Sequence, residues 1–247
     1  MKSDFLLGVL GGLGPMSTFY FCETVTSHTL ASCDADHIDM LISSRASTPD
    51  RTAYILGKSS ESPLPIMQKE ARRLIDAGAR LLVIPCNTAH YFYDGLTEIS
   101  SVPILNIIEE TVRYLKKRNI TTFGLLATEG TVKSQSYHRL CKDLGMRCLT
   151  PSETDQKKIS EIIYDAIKQN KPVDLSVFRE ISDTLLREGC ECLVLGCTEL
   201  SLLRQSGLDD VVFVDSLEVL AYRTIVSCGK IPIGFPESFD CMQEATV

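Results

Sequence analysis

Two stretches of the sequence decide the fold, because they match at one fixed offset. The first is Gly78-Ala79-Arg80-Leu81-Leu82-Val83-Ile84-Pro85-Cys86-Asn87-Thr88. The second is Gly189-Cys190-Glu191-Cys192-Leu193-Val194-Leu195-Gly196-Cys197-Thr198-Glu199. Gly78, Leu82, Val83 and Cys86 fall on Gly189, Leu193, Val194 and Cys197, and upstream Leu74 and Ile75 fall on Leu185 and Leu186. Each copy reads as a helix, a Gly, a short continuously apolar run, then Cys and a polar turn. Short uninterrupted apolar runs are what strands buried on both faces require. Similar runs at 5–10, 38–43, 103–106, 122–127 and 211–214 join those at 81–85 and 192–195. Helical stripes lie between them: Met67, Ala71, Leu74 and Ile75; Ile159, Ile162, Ile163, Ala166 and Ile167; Val177, Ile181 and Leu185. This alternation predicts an α/β architecture with parallel sheets.

Weaker matches extend the repeat. Gly8-Val9-Leu10-Gly11-Gly12-Leu13-Gly14 pairs with Gly124-Leu125-Leu126-Ala127-Thr128-Glu129-Gly130, and residues 104–109 pair with 213–218. The expectation is two pseudo-symmetric α/β domains, each a parallel sheet flanked by helices, with an active site in the cleft between them. Residues 1–117 plus 210–247 are assigned to the first domain, with Arg51 and Cys86. Residues 118–209 are assigned to the second, with Lys157 and Cys197. The run at 211–214 is expected to return to the first domain.

Composition narrows the function. The chain has 247 residues, 44% of them hydrophobic, which is enough for one or two buried cores. A formal net charge of -7 argues against nucleic acid as the main partner, which calls for a basic face. No apolar run reaches the ~20 residues of a membrane span. The segment starting at Phe5 lacks the basic front and cleavage site of a signal peptide. Ten cysteines without a secretion signal point to reduced thiols in a cytoplasm.

Cys86 and Cys197 carry the chemistry. A lone cysteine at a strand end is ordinarily a core residue. Matching positions in both copies, each beside a polar turn, favour a chemical role instead. The C-terminal ends of parallel strands are where open sheets place ligands. A helix starting just after each Cys is expected to favour the thiolate. Two such sulfurs facing each other across a cleft would remove a proton from one face of a carbon and return one to the other face. Cys190-x-Cys192 invites a metal reading, but no closely spaced partners complete it, and no metal is expected. Gly12-x-Gly14-x-x-Ser17 only half-matches a dinucleotide fingerprint.

The sequence resembles the aspartate/glutamate racemase family. Five segments carry the resemblance, in family order over nearly the whole chain. They are the run from Gly8 to Pro15; the run Thr48-Pro49-Asp50-Arg51-Thr52 through Gly57; Pro85-Cys86-Asn87-Thr88-Ala89-His90; the run from Gly124 to Thr131; and Gly196-Cys197-Thr198-Glu199. Glutamate racemases carry Cys-Thr-His at the last segment, so Glu199 points to the aspartate racemase branch. The resemblance implies a cofactor-independent two-cysteine racemase with a cleft active site, a small acidic amino acid as substrate and a homodimer as the assembly. It also implies that Arg51 grips the substrate's distal carboxylate and that Lys157 assists, with Lys158 as its rival.

The physics of those residues agrees. Arg offers a planar fork for a carboxylate. Lys157 sits at the start of a predicted helix with Asp155 as cap, where a cation opposes the dipole and a bound anion would relieve it. The backbone at Gly11 and Gly12 is expected to approach the substrate. Asn87, Thr88, Thr131 and Thr198 are the candidate partners for its α-carboxylate and ammonium. His90 and His138 read as packed or surface residues with a possible supporting role. Arg45 is a cation the family pattern does not predict, so aspartate and glutamate both stay open. Related isomerases of maleate or hydantoins, one-cysteine decarboxylases and a non-catalytic binding homologue are the alternatives.

Overall fold

A computed structural model of the chain describes residues 5–208 and 211–242. The domain boundary expected between residues 209 and 210, like the ends 1–4 and 243–247, lies outside the described residues. In chain order the first half contains β1 (Leu6–Gly11), α1 (Pro15–Ser27), β2 (Asp39–Ser44), α2 (Arg51–Ile55), α3 (Leu64–Asp76), β3 (Ala79–Val83), α4 (Tyr93–Thr97), β4 (Ile104–Leu105) and α5 (Ile107–Lys117). The second half contains β5 (Thr122–Leu126), α6 (Glu129–Ser134), α7 (Ser136–Asp143), β6 (Arg147–Leu149), α8 (Glu153–Glu161), α9 (Leu175–Arg187), β7 (Cys192–Leu195), α10 (Thr198–Ser201), β8 (Phe213–Asp215) and α11 (Ser216–Ser227).

The repeat in the sequence is a repeat in topology. The strands form two parallel four-stranded sheets, in the orders β2-β1-β3-β4 and β6-β5-β7-β8. The position each strand takes in the first sheet is taken by its counterpart in the second. This corrects the expectation for the run at 211–214. Its strand pairs with β7, Leu193 opposite Phe213 and Val194 opposite Val214, so it belongs to the second sheet. The repeat already implied this, since β8 is the counterpart of β4. The helix that follows does reach back: α11 packs on α1 and on α5. β6 escaped the sequence reading because Arg147–Leu149 is short and partly exposed, with no apolar run to mark it.

Strand alternation builds the layers. Leu7, Val9, Leu81 and Val83 of the first sheet, and Phe123, Leu125, Cys192 and Val194 of the second, point into one shared central core. Helices α1, α5, α7 and α11 fill that core between the sheets, through Phe21, Val112, Tyr137 and Leu220. The opposite strand faces carry separate outer cores. Leu82 and Ile84 meet Met67, Ala71 and Leu74 of α3. Leu193 and Leu195 meet Ile159, Phe178, Ile181 and Leu185. A shared central core fixes how the halves sit, and therefore where the ends of β3 and β7 meet. No helix among the described residues is long and apolar enough to cross a membrane.

Gly12 shows how tightly the turn after β1 is held. Its φ is +80°, and a Cβ there would lie 2.3 Å from the Arg45 amide nitrogen. Side chains other than Gly resist that conformation, and the neighbour is backbone that cannot swing away. Gly12→Ala is expected to lower unfolding stability by roughly 3 kcal/mol or more, from the left-handed backbone and the overlap together. A urea midpoint equal to the wild type's would contradict this.

Candidate active site

β3 ends three residues before Cys86 and β7 ends two residues before Cys197. Both thiols are buried, at 6% and 4% exposure, and both line one slot between the halves. The slot encloses only about 10 Å3, about the room of one water molecule. A vestibule of about 330 Å3 lies outside it. Asp50, Arg51, Lys168 and Glu199 line both spaces and so stand between the vestibule and the thiols.

Arg51 is where the sequence placed it. It is buried, and its guanidinium donates to the carbonyls of Thr48 (3.3 Å), Pro49 (3.1 Å) and Leu13 (2.7 Å). Its Nε has no hydrogen-bond partner. Asp50 caps α2 by accepting from the Ala53 amide at 2.7 Å, and this cap sets the start of the turn that turns Arg51 inward.

Lys157 is corrected. It is exposed and lines a surface groove with Glu129, Lys133 and Gln156, away from both cysteine spaces. Asp155 does not cap α8; Ser152 does, and Asp155 pairs with Lys158 at 2.9 Å. The lysine that reaches the slot is Lys168. A π-helical turn at Ile162–Ala166 follows α8, and a short 3-10 turn at Ile167–Gln169 follows that. The extra residue of a π turn shifts the side-chain phase, a feature common at functional sites. Beyond it, Lys168 lies over the Tyr164 ring at 4.4 Å and 3.7 Å from Glu199 Oε1. Tyr164 also lines the slot. A regular 3.6-residue stripe could not reveal either residue.

Glu199 is the second residue whose role the sequence reading missed, although it marked the family branch. It is 5% exposed, and Cys197 Sγ donates to its Oε2 at 2.9 Å. Gly14 leaves room for it, since a Cβ there would sit 2.6 Å from Glu199 Oε1.

The remaining predicted residues divide. Thr88 lines the slot and forms a hydroxyl triangle with Thr128 (2.9 Å) and Thr131 (2.9 Å). Thr128 faces the slot, whereas Thr131 is not among its lining residues. Thr198 lines the slot and donates to the Pro85 carbonyl at 3.2 Å, tying one cysteine loop to the other. Asn87 lines the slot, but its side-chain amide is committed: it donates to Ser216 at 2.9 Å and accepts from Tyr137 at 2.7 Å. Gly12 lines the vestibule, yet its amide donates to Thr18 at 2.9 Å. Gly11 lines neither space, and its carbonyl accepts from Arg45. Arg45 itself is exposed and outside both spaces. His90 is a buried brace: it bonds the Cys86 carbonyl through Nδ1 at 2.8 Å and accepts from the Ile107 amide at 3.2 Å. Burial lowers its pKa to about 4, which keeps it neutral. Burial also lowers the pKa of His138. Cys190 and Cys192 are buried core residues on opposite faces of the second sheet.

The electrostatics also correct the sequence. Burial raises the Cys86 pKa above its ordinary value; the Arg51 charge and the Ala89 amide oppose this without cancelling it. Burial raises Cys197 further, with the Glu199 charge adding to it and Lys168 opposing. The expected help from backbone amides is present, but desolvation outweighs it. The two thiols are therefore unlike: Cys86 has a guanidinium for company, and Cys197 has a carboxylate.

Residues 10–224 match the family described as Asp/Glu/Hydantoin racemase. The chain is 28% identical over 238 residues to the Broad specificity amino-acid racemase RacX of Bacillus subtilis, covering 89% of this chain and 96% of that protein. It is 28% identical over 185 residues to the glutamate racemase of a Carnobacterium strain, covering 68% of each. Among solved structures, the Picrophilus torridus aspartate racemase superposes with a TM-score of 0.83 at 25% identity, over 96% of this chain and 99% of that one.

Thiol chemistry reports this burial. Iodoacetamide at neutral pH is expected to label exposed Cys33 first and to leave Cys86 and Cys197 largely unmodified. Because both buried thiols have raised pKa values, their labelling should rise as pH moves into the alkaline range. Peptide mass spectrometry showing Cys86 or Cys197 labelled as fast as Cys33 at neutral pH would contradict it.

Proposed function

The chain belongs to the Asp/Glu/hydantoin racemase family, and on that footing we propose that it interconverts L- and D-aspartate, with glutamate as the second candidate substrate. The observation that carries the reading is that both thiols open on one slot with Arg51 and Lys168 at its mouth. Two fixed cations suit a dicarboxylic amino acid. The α-carboxylate or the side-chain carboxylate alone would need only one.

In this reading a thiolate on one face of the α-carbon takes the α-proton while the thiol on the other face delivers one. No cofactor takes part. The environments assign the resting roles. Cys86, beside Arg51, is the thiol more readily ionised, and Cys197, donating to Glu199, holds its proton. The reverse reaction exchanges these roles. The incoming carboxylate competes with Glu199 for Lys168. The hydroxyls of Thr88 and Thr128 and the amides of the cysteine loops are the donors nearest the developing charge. The broad specificity for which the Bacillus subtilis relative is named makes a panel of amino acids the natural extension of the substrate test. Ten unpaired thiols support a cytoplasmic location, and a homodimer is part of the same proposal.

Chiral chromatography of aspartate incubated with the purified chain tests the reading. Cys86→Ser and Cys197→Ser should each lose racemisation while keeping the wild-type circular dichroism. Full activity in either variant would remove the two-thiol mechanism, and failure of the wild type on both aspartate and glutamate would move the function to another dicarboxylate such as maleate, or to binding alone. Lys168→Ala should raise KM for aspartate roughly ten- to a hundredfold, the loss of a charged hydrogen bond. Lys157→Ala should change it by less than about twofold, as an exposed charge contributes little. The opposite ranking would reinstate Lys157.

A further inference from the structure

A second cavity, of about 390 Å3, shares no lining residue with the slot or the vestibule. Its walls include Asp215, Glu218, Arg204, Arg118, Tyr114 and Phe239. The repeat makes its chemistry conspicuous. In the first half, Asn106 caps α5 by accepting from the Ile108 and Glu109 amides. In the second half its counterpart is Asp215, which caps α11 with Oδ1 alone, accepting from the Leu217 amide (2.9 Å) and from Ser201 (2.7 Å). Capping thus needs only one oxygen, and the neutral amide suffices elsewhere in the same fold. The other oxygen, Oδ2, belongs to a residue only 1% exposed and has no hydrogen-bond partner.

The charges around that oxygen do not balance locally. Arg204 Nε is 3.9 Å from Asp215 Oδ2 and 3.4 Å from Glu218 Oε1, so two carboxylates face one guanidinium. The neighbours register the surplus. Burial and then the Asp215 charge raise Glu218 to about 7, and burial followed by both carboxylates pushes the Tyr20 phenol up to about 12. A second guanidinium, that of Arg118, lines the same cavity. The Arg118 guanidinium stands 5.4 Å from the centre of the Tyr114 ring and donates to its hydroxyl at 3.4 Å. The cavity therefore brings two carboxyl groups, two guanidinium groups and aromatic surface together.

We propose that this cavity is a second ligand site, for a small neutral amino acid whose ammonium meets Glu218, with the buried carboxyl of Asp215 behind it, and whose carboxylate meets Arg118. The site adjoins the cysteine loops. Ser201, bonded to Asp215, ends the helix that starts after Cys197, and Ser216, the next residue, bonds both Asn87 and the Leu195 carbonyl.

Calorimetric titration of the full chain with L-alanine tests the proposal. Binding is expected at millimolar concentration and should persist when saturating aspartate fills the cysteine cleft. Ethylamine and propionate, each with one of the two charges, should bind more weakly. Glu218→Gln should weaken L-alanine roughly ten- to a hundredfold, and Asp215→Asn, which places at this cap the residue type its counterpart already uses, should weaken it by less. If Asp215→Asn fails to fold by circular dichroism, Glu218→Gln, at the partly exposed edge, carries the test. Absence of binding to the wild type would overturn the proposal. So would unchanged binding in folded variants, or binding that aspartate abolishes.

Discussion

Desolvation of two sulfurs is the constraint on which the site depends. Cys86 and Cys197 sit at the ends of counterpart strands, closed between two halves that share one core. Taken out of water, a thiol resists giving up its proton, and this resistance exceeds the help from nearby amides and cations. The surrounding residues act on that cost in both directions. Arg51 and Lys168 bring positive charge to the slot, whereas Glu199 holds the Cys197 proton in place and adds to the cost. Sulfurs left in water would ionise more readily but would lack a dry site in which donors act strongly on a developing carbanion.

Closure is the other side of the same constraint. A slot with room for about one water cannot receive an amino acid until its walls part. The Lys168–Glu199 pair spans the boundary with the vestibule, and Lys168 is carried by irregular turns, not by the regular part of α8. An incoming carboxylate that replaces Glu199 at Lys168 exchanges one ion pair for another. The cysteine loops stay braced meanwhile: Thr198 holds Pro85, Ser216 holds Leu195, and His90 holds the Cys86 carbonyl.

The sequence made the architecture legible because buried parallel strands leave continuous apolar runs, and because the fold is written twice. Matching Gly78–Thr88 with Gly189–Glu199 singled out both cysteines, and the family resemblance singled out Arg51. Three things escaped for physical reasons. β6 is a short, half-exposed strand with no periodic signature. Lys168 follows a π turn that breaks the 3.6-residue phase, and the family resemblance pointed to Lys157 instead. The ionisation of the thiols depends on burial depth, which neighbouring residue types do not reveal; the helix-start argument had the right sign but the smaller magnitude. The assignment of β8 erred differently, since it set aside the repeat that placed the other strands.

The central claim is that two thiols act from opposite faces of one carbon. Proton NMR of L-aspartate with the enzyme in D2O, combined with chiral separation of the two enantiomers, tests it most directly. The account predicts that at early times D-aspartate carries solvent deuterium at its α-carbon while the remaining L-aspartate keeps its proton. Deuterium entering recovered L-aspartate as fast as D-aspartate forms would contradict it, because a single base would then be both removing and returning the proton on one face.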